Sequence, residues 1–223
     1  MVDAEGGVMK LTTEDLILAL AADLKPVSRY AVLERLGTGV LMGILVTTVL
    51  VVTVLGVRPD LPVAVYGIPF WMKWTYTMSL GTAAIFAVSL LARPDSRSLM
   101  MLWMLSVPML TLAGCAAHEL ANTPLDHWRT LWMGNSWTSC PRVVLGLSVP
   151  IFLGLLWSFR RFAPNRLRAA GALSGLASGA WAATVYGLHC PEPSALFVLT
   201  WYSLGILLAA ALGAVLGPYV LRW

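Results

Sequence analysis

Six long apolar runs constrain the fold of this chain more than any other feature of its sequence. They cover approximately residues 36–57, 70–92, 99–117, 143–159, 169–188 and 193–221. A helix needs about 20 apolar residues to cross the hydrocarbon core of a bilayer, and the six runs meet or approach that length. Only 12% of the residues are charged, whereas soluble domains carry about 25%. We therefore expect an all-α, polytopic membrane protein with six transmembrane helices.

The lysine and arginine residues between the runs predict the orientation of the chain. With a cytoplasmic amino terminus, the inner side holds Lys10, Lys25, Arg29, Arg35, Arg93, Arg97, Arg160, Arg161, Arg166, Arg168 and Arg222. The outer side then keeps only Arg58, Lys73, Arg129 and Arg142. Because basic residues favour the cytoplasmic side, we expect both termini in the cytoplasm of a bacterial cell and the protein in its inner membrane. Lys73 lies near the end of its run, from where a lysine side chain can reach the interface.

Residues 1–35 form the one sizeable polar segment, and residues 36–223 are the expected transmembrane domain. Thr12-x-x-Asp15 resembles a helix capping box. A helically spaced apolar stripe follows it at Leu16, Ile17, Leu20 and Leu24. These features predict a short amphipathic helix. Such a helix can lie on the membrane lipids or dock into a groove of a cytoplasmic partner, and the sequence leaves both open.

Small residues recur every four positions in the last two apolar runs. One stripe contains Gly171, Gly175, Gly179, Ala183 and Gly187, and the other contains Gly205, Ala209, Gly213 and Gly217. In lipid, such stripes allow helix backbones to approach closely. We expect the fifth and sixth helices to pack tightly on them. The same stripes would also suit a dimer, so the oligomeric state stays open.

The expected topology places all three cysteines on the outer side of the membrane, where disulfides persist. Cys140 and Cys190 fall in outer loops, while Cys115 lies near the outer end of the third run and can pack as a small hydrophobe. This placement favours a Cys140–Cys190 disulfide or a closely spaced dithiol. Two alternatives stay open. The thiols can be free and inert, or Cys140, Cys190, His189 and Glu192 can hold a transient soft metal ion. The adjacent pair His189-Cys190 matches no standard ligand spacing of a tetrahedral metal site. We expect no other cofactor.

Several function classes lack their sequence signatures in this chain. It has no Gly-rich phosphate loop, no His-Glu-x-x-His and no paired intramembrane carboxylates, so we do not expect an enzyme. The basic residues fall in short gaps between apolar runs, which argues against direct binding of nucleic acid.

The residues Tyr186-Gly187-Leu188-His189-Cys190-Pro191-Glu192, Trp201-Tyr202 and Leu221-Arg222-Trp223 resemble the NrsF family. Ala163-Pro164-Asn165 and Cys140-Pro141 are similar to that family as well. Its members are six-span bacterial proteins that act as membrane-bound anti-sigma factors.

The resemblance implies that the amino-terminal segment, through Leu16, Ile17, Leu20 and Leu24, holds an extracytoplasmic-function sigma factor inactive. It implies that outward cysteines matching Cys140 and Cys190 release that factor during redox or heavy-metal stress. Cys115 has no place in this pattern.

The sequence leaves two alternative functions open. A membrane thiol oxidoreductase that exchanges electrons with quinone commonly needs a closely spaced cysteine pair, and the chain has no Cys-x-x-Cys. A metal-ion transporter would place polar or charged groups near mid-membrane, where these runs offer Ser, Thr and Tyr186.

Overall fold

The computed structural model describes residues 12–14, 17–18, 31–91, 98–159 and 166–221. Within these ranges every regular element is a helix and no strand occurs, which confirms the all-α prediction. We number the six long helices α1 (Ala31–Leu50), α2 (Ile68–Leu91), α3 (Ser98–Ala121), α4 (Cys140–Phe159), α5 (Leu167–Tyr186) and α6 (Ser203–Val220).

Shorter helical segments extend or connect these helices. α1 continues into a π-helical turn, Val51–Leu55, and α6 is preceded by Ala195–Phe197 and by a π-helical turn, Val198–Tyr202. The connections contain Leu61–Ala64, Leu125–His127 and Trp128–Met133.

Five helical stretches are long and apolar enough to cross a membrane. They are Glu34–Leu55, Ile68–Leu91, Trp103–Ala121, Cys140–Ser158 and Ala195–Val220. α5 matches a predicted helix and has 20 residues, but its glycine, alanine and serine residues make it less apolar than the other five. It packs against α2, α4 and α6, and most of its residues are buried. Its small side chains therefore explain both its low hydropathy and its central position.

Close backbone contact joins α5 to α6. A Cβ atom added at Gly171 would collide with the carbonyl oxygen of Gly213, and one added at Gly213 would collide with the carbonyl oxygen of Gly171. One turn further along, a Cβ at Gly175 would meet the carbonyl group of Ala209. A side chain can rotate away from such a contact but a backbone carbonyl cannot, so these positions require glycine.

Gly179 also faces α6, at Ile206, whereas Gly205 faces a different helix. A Cβ at Gly205 would crowd Val144 and the carbonyl oxygen of Pro141, both on α4. The stripe on α6 is thus divided between two neighbours.

α1 rests on α4 by the same kind of contact. A Cβ at Gly39 would collide with the carbonyl oxygen of Gly154. Two turns away, the buried Thr47 hydroxyl donates a hydrogen bond to the Leu147 carbonyl at 3.1 Å.

Residues 1–31 form one compact unit and residues 32–223 form another. Of the predicted amino-terminal stripe, Ile17 lies among the described residues, where it is helical and 59% exposed. Leu16, Leu20 and Leu24 lie outside the described residues.

Candidate functional site

The segment between α5 and α6 folds back into the protein. The amide of Cys190 donates to the carbonyl of Tyr186 at 3.0 Å, so the chain completes a helical turn after α5. Glu192 and Ser194 follow and are buried. The Ser194 hydroxyl then accepts a hydrogen bond from the amide of Phe197 and caps the next helix. The thiol of Cys190 is consequently fully buried, although it lies in a loop.

Lys73, a buried residue on α2, donates hydrogen bonds to this loop. Its side chain is only 1% exposed, and its Nζ atom donates to the carbonyl of Cys190 at 3.0 Å and to that of Glu192 at 2.8 Å. Lys73 is therefore covered by the loop, whose carbonyl oxygens supply the acceptors that a buried ammonium group needs. Its position relative to the membrane interface stays a prediction. A single ionisable residue inside an apolar run is itself a signal for a functional site, and that signal pointed to Lys73.

Arg58, just after α1, holds the same loop from another side. Its amide donates to the carbonyl of Leu188 at 3.1 Å, and its Nη1 atom donates to the carbonyl of Cys190 at 3.3 Å. Its Nε atom is 2.7 Å from a carboxylate oxygen of Asp60. This hydrogen bond lowers the pKa of Asp60 and raises the pKa of Arg58 from their ordinary values.

Both cysteines of the candidate pair contact Ser136, Cys140 through its backbone amide and Cys190 through its sulfur. Cys140 begins α4 and is fully buried, and its amide donates to the carbonyl of Ser136 at 2.9 Å. The hydroxyl of Ser136 lies 4.0 Å from the sulfur of Cys190. All three cysteines are free thiols, so a Cys140–Cys190 disulfide stays a prediction. Cys115 is exposed on α3, so it does not pack inside the protein as the sequence allowed.

Two carboxylates hold the segment before α6 in place, one in that segment and one on α3. Oε1 of Glu192 accepts from the amide of Asn135 at 2.7 Å and from the hydroxyl of Ser136 at 3.4 Å, which joins this segment to the loop before α4. Oε2 of Glu119, at the end of α3, accepts from the amide of Leu196 at 3.0 Å. A displacement of the segment would therefore break charge-assisted hydrogen bonds to both neighbours.

Stacked tryptophan rings join the connection before α4 to the π-helical turn before α6. Trp132 and Trp137 both pack on Trp201, with ring centroids 5.8 Å and 5.3 Å apart, and the Trp201 indole donates to the carbonyl of Trp132 at 2.7 Å. The neighbouring residue, Tyr202, is fully buried, and its hydroxyl lies close to the thiol of Cys190.

The proposed metal ligands are engaged in other contacts. Nδ1 of His189 is 2.8 Å from the carbonyl oxygen of Gly56, and the Glu192 carboxylate is bonded to the loop before α4. Among the described residues no three His, Cys, Asp or Glu side chains are grouped to hold a metal ion. A soft metal ion at Cys140, Cys190, His189 and Glu192 would require new side-chain positions, and that site stays a prediction.

The chain is similar to known negative regulators of sigma F. The family model for negative regulators of sigma F, NrsF, matches residues 20–223. A protein of Azospira oryzae, the probable anti-sigma-F factor NrsF, is 38% identical over 213 residues, which are 96% of this chain and 100% of that protein. The anti-sigma-F factor NrsF of Caulobacter vibrioides is 39% identical over 215 residues, with the same coverage. No solved structure matches the chain.

Proposed function

This chain belongs to the NrsF family of negative regulators of sigma F, and from that premise we propose that it is an anti-sigma factor. In this proposal it holds an extracytoplasmic-function sigma factor inactive at the bacterial inner membrane. The near full-length similarity to two anti-sigma-F factors is the observation that carries the proposal. Membership of this family supports a regulatory role for the chain.

The proposed topology has six spans, with α5 as the fifth. α5 is surrounded by α2, α4 and α6, so it can cross the bilayer with little contact with lipid and needs less apolar surface than its neighbours. Hydrogen bonds from Arg58 to Leu188 and from Asn135 to Glu192 gather three of the connecting loops at one end of the bundle. In the sequence, most lysine and arginine residues fall in the segments that join or flank the opposite ends of these helices, so we propose that the gathered loops are periplasmic and both termini cytoplasmic.

The proposed output is the amino-terminal helix. Leu16, Ile17, Leu20 and Leu24 would form the surface that grips the sigma factor. The exposure of Ile17 supports this role, since an apolar residue at a docking surface must be accessible to its partner.

The proposed input is the thiol pair Cys140 and Cys190, whose change of state during redox or heavy-metal stress would release the sigma factor. Arg58 supports the connection, because it links the Cys190 carbonyl to the end of α1, and α1 follows the amino-terminal segment directly in the chain. A signal of this kind requires that the modified thiols favour one arrangement of the bundle over another.

Affinity purification of the full-length protein from native membranes tests the output. We expect a sigma factor to co-purify, and alanine at all four positions Leu16, Ile17, Leu20 and Leu24 to abolish the association. A matched control replaces Leu41 and Leu45, which are 66% and 61% exposed on α1, and should leave it unchanged. Equal recovery from all three proteins, or no sigma factor at all, would contradict the proposal.

A transcriptional reporter for the sigma factor tests the input. Cys140→Ser and Cys190→Ser should each abolish induction by stress, while Cys115→Ser, at an exposed position on α3, should respond as the unmodified protein does. Normal induction in either of the first two variants would remove the thiol pair from the mechanism.

A further inference from the structure

We propose that a groove along α4 and α6 binds one anionic phospholipid, with an acyl chain in the groove and the headgroup phosphate on Arg142. The groove has a volume of about 580 Å³, within the range of about 300–1,000 Å³ that is usual for small-molecule sites. Its lining residues come from α4, from α6 and, at Ser178, from α5. Neither the sigma factor nor the thiol pair takes part in this binding.

The walls of the groove are apolar. Leucine, valine and phenylalanine side chains form most of them, and Leu153 and Leu212 are at least half exposed. The two serines that line the groove, Ser148 and Ser178, donate their hydroxyl protons to carbonyl oxygens of their own helices at 2.7 and 2.8 Å. A polar solute would therefore find no free hydrogen-bonding side chain on these walls, whereas an acyl chain needs none.

Open space beside Gly146 gives the groove its depth. A Cβ atom added at Gly146 would meet nothing within 4 Å in the described part of the chain. Gly213 also lines the groove, but the space beside it is taken by the backbone of Gly171. Apolar atoms that border an unfilled space lose their van der Waals contacts on that side. A lipid chain that lies against Gly146 would supply these contacts.

The groove is long enough for a whole acyl chain. It extends along α4 from Arg142 to Leu156, a rise of about 21 Å. On α6 it reaches Val220, the last residue of that helix. One leaflet contributes about 15 Å of hydrocarbon, half of the apolar core of a bilayer. A chain whose headgroup lies at Arg142 can therefore stay in the groove over the full depth of its leaflet.

Arg142 places a positive charge at one end of the groove. The candidate span begins at Cys140, so Arg142 lies in its first turn, from where an arginine side chain reaches the headgroups. Its Nε atom donates to the carbonyl of Thr138 at 2.7 Å, and its two terminal nitrogens have no hydrogen bond to any residue that the structure describes. These nitrogens can donate in parallel to two phosphate oxygens, the geometry that arginine favours with phosphate.

A second copy of the chain is the competing occupant. It would have to bring a carboxylate to Arg142 as well as an apolar helix to the walls. The described acidic residues at this end of the bundle each contact a group of their own chain already, and they are Asp60, Glu119, Asp126 and Glu192. A lipid phosphate supplies the negative charge without breaking these contacts, so charge complementarity favours the phospholipid.

The test is native mass spectrometry of the full-length protein in detergent, titrated with phosphatidylglycerol or with phosphatidylcholine of the same acyl chains. Choline balances the phosphate charge, so the second lipid is neutral overall. We expect one retained lipid per protein, with phosphatidylglycerol bound about fivefold more tightly, the upper end of the contribution of an exposed ion pair. Equal affinities for the two lipids would overturn the role of the headgroup.

Variants of Arg142 test the contact with the phosphate. Arg142→Gln should lower the affinity for phosphatidylglycerol to that for phosphatidylcholine, and Arg142→Lys should restore most of the difference. Arg129→Gln is the matched control, because it removes an exposed cation outside the groove in the loop before α4, and it should leave the preference unchanged. An unchanged preference in Arg142→Gln, or an equal loss in Arg129→Gln, would overturn the assignment of Arg142.

Gly146→Leu tests the groove and still decides the proposal if Arg142→Gln fails to fold. The leucine side chain would take the volume of the acyl chain, so this variant should lose the retention of both lipids. Gly114→Leu on α3 is its control, since a Cβ there also meets nothing within 4 Å among the described residues and the position lies outside the groove. Unchanged retention in Gly146→Leu would place the lipid elsewhere and refute the proposal.

Two further outcomes would assign the groove to another occupant. If the parent protein forms a dimer that retains no lipid and that Gly146→Leu dissociates, the groove belongs to a second copy of the chain. If glycerol 3-phosphate displaces phosphatidylglycerol at concentrations similar to that of the lipid, the ligand is a water-soluble phosphate. Either result would overturn the proposal, and we expect neither.

Discussion

Replacing Gly171 by alanine should destabilise the protein by about 1–3 kcal/mol, the usual effect of overpacking a close-packed interior. The added Cβ would collide with the carbonyl oxygen of Gly213 and would crowd Gly217. Both obstacles are backbone atoms, so α5 and α6 must move apart, and the reciprocal contact from Gly213 to Gly171 is lost in the same movement. For a chain of this size the change corresponds to a fall in unfolding midpoint of about 2–12 °C.

Thermal unfolding of the purified protein in one detergent, followed by the loss of the monodisperse chromatographic peak, measures this fall. Gly146→Ala is the matched control, because nothing among the described residues lies within 4 Å of a Cβ at that position on α4. It should change the stability by no more than about 0.5 kcal/mol. If Gly171→Ala unfolds at the same temperature as Gly146→Ala, then α5 and α6 do not pack through backbone contact and the reasoning is refuted.

Three further predictions follow from single hydrogen bonds. Glu119→Ala leaves the amide of Leu196 without its acceptor and should cost about 1–3 kcal/mol, with faster hydrogen exchange at that amide; unchanged exchange would contradict the bond. Thr47→Val removes the bond to α4 and should cost only about 0.6 kcal/mol, as is typical between membrane helices; a loss as large as that of Gly171→Ala would contradict this ranking. Arg58→Gln should raise the pKa of Asp60 towards its ordinary value, measured by carboxyl NMR titration. The pKa of Asp60 is lower in the folded protein than in the unfolded chain. The Arg58–Asp60 pair therefore stabilises the fold at pH values above the unfolded-state pKa of Asp60. This stabilisation is lost as the pH falls through the folded-state pKa of Asp60.

The six helices could be predicted because each one depends on a local property, the length of an apolar run. When the helical segments that extend α1 and α6 are included, the bounds differ by at most five residues, and α4 begins at Cys140, earlier than predicted. A hydropathy criterion alone does not select α5 as a span, but the spacing of its glycines identified it as a packing helix. The four-residue spacing of small side chains in α5 therefore predicted its packing, which its total hydropathy does not.

The candidate site was harder to predict, because its contacts join residues far apart in the chain. Lys73 and its acceptor on Cys190 are separated by 117 positions, and no periodicity in the sequence connects them. The burial of Cys190 was not predicted for the same reason. Lys73, Arg58 and Glu192 hold its loop inside the protein through contacts between residues that are distant in the sequence.

The weak apolarity of α5 has a consequence for how the chain is made. A segment rich in glycine, alanine and serine enters the bilayer reluctantly by itself, because partition from the translocon depends on the apolarity of the individual segment. A strongly apolar span, Ala195–Val220, which contains α6, follows α5 after a short loop, so the two would enter most readily together as a hairpin, with α2 and α4 already in place to receive α5. Ribosomes halted before α6 has emerged should therefore leave α5 outside the lipid, and the last two helices would complete the membrane domain in one late event.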